Sequence, residues 1–263
     1  MLPLKLLPSK KGYILLCLLF VILIYHQAIS HMVFFDDSAA DIAQIQGESV
    51  KLKLFYELLS LNNSLFEYNF FQSFILPLQV VILGSIYDKT KSNYCRFYLG
   101  RSTDYYDAIN KLKKQLSLIN CLLFLLILIL ISVIAGAVGR FDSHSLVYYF
   151  QRGSFLQFFS NSTWHYLFYY AMVKCLAIYS ETYLLFKMID SYNHFLKATL
   201  AFLLFLWATA PILYSILPFY LVPMSHLMIT SYGNINLWQL IASYLPCICC
   251  LLFLKYKSPN EIL

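Results

Sequence analysis

Charge is what this chain has least of. Only 12% of its 263 residues are Asp, Glu, Lys or Arg, about half the ~25% usual in a soluble domain. Set against 60% hydrophobic residues and a mean hydropathy of +0.66, that scarcity excludes intrinsic disorder. It also excludes an ordinary water-soluble globule, which could not hide so much apolar surface and keep a polar shell. Motifs are missing too. There is no GxxxxGK[ST] to cradle a nucleotide phosphate, no GxSxG, no HExxH and no paired Asp/Glu metal cluster. The chain therefore reads as neither an enzyme nor a holder of metal or cofactor. None of the seven cysteines falls in a predicted outer loop, so an extracellular disulfide framework is excluded. Cys247-Ile248-Cys249-Cys250 lacks the paired spacing of a zinc site and reads as buried thiols. The six histidines show no haem-type pairing and read as polar aromatics near membrane borders.

What is present is apolar length. A crossing needs about 20 apolar residues for a ~30 Å hydrocarbon layer. Six stretches qualify: Tyr13–Ile29, Phe70–Tyr87, Ser117–Val138, Trp164–Ile189, Ala198–Leu217 and Leu237–Leu254. The expected fold is an all-α polytopic membrane bundle, a single transmembrane domain over 1–263. Fourteen Lys and Arg flank these stretches on one side and four on the other, with Lys174 inside a span. The positive-inside rule then puts both termini in the cytoplasm, with an outer loop over 31–69 and an inner loop over 88–116. The net charge of +6 reports those inner loops, not nucleic acid. Lys10-Lys11, the apolar run and Ala28-Ile29-Ser30 also fit a signal peptide with a small-residue cleavage site. A retained anchor is the reading adopted; cleavage would leave five spans.

The inner loop opens as DKTKSNYCRFYLGR and turns helical at Ser102-Thr103-Asp104, a plausible N-cap. Tyr105, Tyr106, Ile109, Leu112 and Leu116 recur every three or four residues, with Asn110, Lys111, Lys113 and Lys114 on the other face. A short amphipathic helix is expected at the inner surface, resting on anionic lipid or docking a cytoplasmic partner through Tyr105, Tyr106, Ile109 and Leu112. In the outer segment, a helix through Ile42 and Ile45 and another over Val50–Leu61 are expected, broken at Gly47. Gln72 and Gln79 in the second span and Lys174 and Glu181 in the fourth are costly in lipid and are expected to face the bundle interior, as candidate pathway residues. Lys174 and Glu181 share a helix face two turns apart, so each is expected to find its partner elsewhere. Pro77, Pro211 and Pro246 are candidate kinks.

The order of spans, the enlarged first outer loop and the basic inner loop resemble the permease subunit of an ABC-2-type ABC transporter. The local match is Phe70–Leu130, where a polar second span leads through a cytoplasmic loop and a short coupling helix into an apolar third span. Asp88 stands where that family commonly has glutamate, and Gly100-Arg101 replaces its Pro-containing turn. The resemblance implies two permease copies, or one with a related permease, in a bacterial cytoplasmic membrane. A separate ATP-binding subunit would drive export. The alternative is a non-transporting membrane protein, such as a bacteriocin-immunity or sensor-accessory component.

Overall fold

A computed structural model describes residues 10–35, 47–93, 102–138 and 150–257. The described residues are mostly helical, with one isolated bridge between Phe150 and Ile235 and no strand. The helices are α1 (Lys10–Val33), α2 (Gly47–Leu58), α3 (Leu61–Asn93), α4 (Ser102–Ala137), α5 (Thr163–Tyr192), α6 (Phe195–Leu203), α7 (Ala210–Ile216), α8 (Ser225–Met228), α9 (Leu237–Ala242) and α10 (Leu245–Lys257). The basic turn at Cys95, Arg96 and Gly100-Arg101 and the helix read from Ile42 and Ile45 lie outside the described residues.

The bundle buries polar residues among its apolar core and presents large apolar residues outside. On α3 the large residues Phe66, Phe70, Phe74, Leu78 and Ile82 recur every fourth position and are exposed, while Asn69, Gln72, Ser73 and Gln79 are buried. On α4 the exposed stripe is Leu118, Leu122, Leu126, Ile129 and Val133; on α5 it is Trp164, Phe168, Met172 and Leu176. Such an exposed apolar surface is compatible with a lipid surrounding and unlike that of a protein in water. By length and composition three described stretches can cross a membrane (α3, α4 and Leu237–Lys255), or four with the bent pair α6–α7. At 1.5 Å per residue α3, α4 and α5 run about 50, 54 and 45 Å, well beyond the ~30 Å hydrocarbon layer.

Breaks in the helices have identifiable causes. Pro77 lies within α3 and cannot bond the Ser73 carbonyl; the Trp207 indole N–H takes that carbonyl instead, at 3.2 Å. Pro211 stands in the first turn of α7, just after a π-helical stretch, Leu204–Ala208, and the chain bends there by 40°. Pro246 is the second residue of α10, so it starts a helix where a kink was expected. Asn193 closes α5 in the left-handed region at φ 49°, and two residues suffice to turn into α6. Asn236 caps α9 in a reciprocal capping box with Gln239.

Two expectations need correction. The amphipathic stretch from Thr103 to Leu116 is no separate surface helix; it is the first third of α4, unbroken into the apolar part. Lys113 does not face outward with Lys111 and Lys114: it is fully buried and paired with Asp190. α3 closes over that side of α4, and one carboxylate makes burial of the lysine tolerable. In the outer segment, α2 begins at Gly47, and within the stretch read as one helical face Leu59 is buried while Leu52 stays exposed.

α3 packs tightly on α5 at Gly84, where an added Cβ would lie 2.7 Å from Leu185 Cδ2 and 3.3 Å from Ile189 Cδ1. Both side chains are buried, at 0% and 1% exposure, so they have little room to yield. Gly84→Leu is expected to cost about 1–3 kcal/mol through overpacking, and Gly84→Ala less. Thermal unfolding in one detergent checks this; equal stability of Gly84→Leu and the parent would refute the tight crossing.

Candidate functional site: a polar column in the bundle

The helix crossings set a register. Tyr170 donates to Asn69 Oδ1 at 2.8 Å, and Tyr87 donates to Asp190 Oδ1 at 2.7 Å. The sequence separations are 101 and 103, so α3 and α5 run in the same direction with a nearly constant offset. Gln72 thus lies level with Lys174 and Gln79 level with Glu181. α4 runs antiparallel between them. All four residues read from the sequence as pathway candidates are buried in the interior, at 7% exposure or less.

Polar contacts follow this column from level to level. At one end Asn69 Oδ1 also accepts from Thr230, at 3.3 Å. Next, Lys174 donates to the main-chain carbonyl of Leu227 and lies 5.5 Å from the Tyr170 ring centre. One residue before Leu227, His226 Nε2 lies 3.2 Å from Glu181 Oε1, close as an ion pair though unaligned for a hydrogen bond. Lys174 and Glu181 therefore each meet a partner on another element, and both partners lie on α8. Deeper, Gln79 donates to Asn120 at 2.6 Å, Asn120 donates to Thr182 at 2.9 Å, and Thr182 donates to the Ile178 carbonyl at 2.7 Å. At the far end Asp190 gathers Tyr87, Lys91 at 2.8 Å and Lys113. From Asn69 to Tyr87 the column spans eighteen helical residues, about 27 Å.

His226 was the least foreseeable member. Its sequence position suggested a membrane border, yet the connection between α7 and α9 turns back into the bundle. Val222 to Leu227, Ile229 and Thr230 are all buried, and Ser225 and His226 show 0% exposure. Non-helical backbone is tolerated at such depth only when covered by protein or facing a cavity. The one available signal was compositional: Ser225, His226 and Thr230 sit among apolar residues without the charges of a solvated loop. Asp190 and Lys113 were equally hidden, because each reads locally as part of a solvated helix end.

Of the four expected docking residues, Tyr105, Ile109 and Leu112 lie in an inner apolar cluster with Val80, Leu83, Leu185 and Phe202. Tyr106 is partly exposed, beside exposed Asp107, Lys111 and Lys114. Among the described residues no group of three His, Cys, Asp or Glu could hold a metal. Cys247 is buried, Cys249 exposed and Cys250 intermediate, all free thiols. An apolar groove of about 730 Å³ between α4 and α5, lined by Leu125, Ile129, Val133, Trp164 and Phe168, lies outside the column. No protein-family model, curated protein or solved structure matches this chain.

Proposed function

We propose that this chain is the membrane-spanning permease subunit of an ATP-driven exporter of the ABC-2 type, resident in a bacterial cytoplasmic membrane. The observation that carries the reading is the polar column of Asn69, Gln72, Gln79, Lys174 and Glu181 inside a lipid-facing bundle. Ionisable and amide groups at that depth are costly, and a passage for polar matter is the recurrent reason for keeping them. In this reading α1, α3, α4, α5, the α6–α7 pair and the α9–α10 pair make six crossings, with both termini cytoplasmic.

Two copies, or one copy with a related permease, would receive a separate ATP-binding subunit on the basic side. The ends of α3 and α4 that project past the hydrocarbon carry exposed Lys89, Lys111 and Lys114 there. Because Lys113 and Lys91 both pair with Asp190, a push on the first turns of α4 would pass directly to α5. The inward packing of Tyr105, Ile109 and Leu112 narrows the docking surface to Tyr106 and its charged neighbours, and that same packing favours the second reading, a non-transporting immunity or sensor-accessory protein.

Co-purification with an ATP-binding subunit, followed by its turnover in lipid, separates the two. Export predicts a stable complex whose ATPase stimulation falls several-fold in Tyr106→Ala, since partly buried aromatic anchors lose about 1–2 kcal/mol or more on truncation. A stable chain with no such partner would retire the exporter reading. Orientation is checked independently with Lys53→Cys and Asp107→Cys in a cysteine-free background. An impermeant maleimide on intact cells is expected to label the first and spare the second; equal labelling would overturn the assignment.

A further inference from the structure

We propose that the buried segment from Val222 to Thr230 is a gate across the polar column, latched shut by Lys174 and Glu181; this rests on the reading of the column as a passage. The segment is a connection, not a span, yet it is packed between α3 and α5 at the level of their polar residues. Polar contacts hold it on both sides: Lys174 to the Leu227 carbonyl, Glu181 beside His226, and Asn69 to Thr230. Its flanks suit movement as a unit. Pro218 stiffens one side, and Gly233 with Asn234, the latter at φ 59°, turns the chain on the other.

The closed arrangement leaves hydrogen-bonding capacity unused. Both amide atoms of Gln72, both carboxylate oxygens of Glu181 and both ring nitrogens of His226 are buried without a hydrogen bond among the described residues. A settled interior pairs such atoms, or supplies water to them. If the segment swings outward, water reaches all three residues, so the closed state rests on the Lys174 and Glu181 contacts against a polar deficit. Such an element has two discrete positions whose balance a few contacts decide.

The test uses the full chain in lipid nanodiscs, with native cysteines replaced and one cysteine introduced at Ser225. Its reaction with a charged thiol reagent is expected to be slow. In the charge-neutral double variant Lys174→Met with Glu181→Gln it is expected to quicken at least tenfold, while Lys174→Arg, which keeps a donor for the Leu227 carbonyl, stays slow. A cysteine at Ile131, fully buried in the apolar core, reports general loosening and is expected to stay slow throughout. Three results would overturn the gate: fast labelling at position 225 without the latch variants, no change in the double variant, or parallel quickening at position 131. The reaction needs neither ATPase nor substrate. A responsive latch in a chain that captures no ATP-binding subunit would therefore retire the exporter while leaving the moving segment, and a captured subunit with an unresponsive latch would do the reverse.

Discussion

Asp190→Ala is expected to cost the folded bundle about 3–5 kcal/mol, among the largest effects of any single substitution here. Asp190 is 4% exposed and takes Lys113, Lys91 and the Tyr87 hydroxyl together. Lys113 shows no exposure at all, so losing the carboxylate takes a counter-charge from a buried cation, and breaking a buried pair costs far more than the intact pair contributes. Lys91 retains 18% side-chain exposure and can turn to solvent, so Lys91→Ala is expected to cost only about 0–1 kcal/mol. Adding Lys113→Met to Asp190→Ala removes the buried cation as well and is expected to recover most of the loss. Thermal unfolding of the parent and these three variants in one detergent decides this. A tolerated Asp190→Ala, or no recovery in the double variant, would mean the three helices are not joined through this carboxylate.

The second large effect lies at the Lys174 and Glu181 levels. Glu181→Ala is expected to destabilise by about 3–5 kcal/mol, because Lys174 keeps a carbonyl but loses the nearest negative charge two turns away. Lys174→Met exposes the converse problem, a carboxylate with only His226 beside it. Removing both charges is expected to cost less than the two single losses added together, with a coupling of about 0.5–3 kcal/mol in a double-mutant cycle. Strict additivity would show that the two groups do not share one electrostatic environment. That coupling is also why the latch is tested with both charges removed together, since neither is then left in the bundle without the other.

Much of this architecture is a local property of the chain. Apolar length over twenty residues dictates helices that face lipid, since no other backbone arrangement satisfies its own hydrogen bonds there. Hence the boundaries of α3, α4 and α5 bracket the apolar runs visible in the sequence, with polar ends running further than hydropathy alone delimits. That Gln72, Gln79, Lys174 and Glu181 point inward also follows from the sequence, because the alternative is a charge or amide in hydrocarbon. The periodicity from Tyr105 to Leu116 correctly marked a helix with one apolar face. It could not say whether that face meets a partner, a lipid surface or the protein's own interior, since the pattern is identical for all three.

The choice of partners belongs to the tertiary structure. Lys113 and Asp190 are 77 residues apart, and nothing in either segment distinguishes a paired lysine from a solvated one. Their meeting depends on the depth at which α4 passes α5, which the crossing at Gly84 and the packing around Leu185 help to set. His226 reaches Glu181 only because the chain after α7 folds inward where a surface loop was expected. By itself the sequence determined the solvent, the helices and which residues must avoid lipid, because those are energies of single residues against their surroundings. Pairing, depth and the inward turn were decided only in three dimensions, because they are energies between distant segments, fixed by a register that no local period encodes.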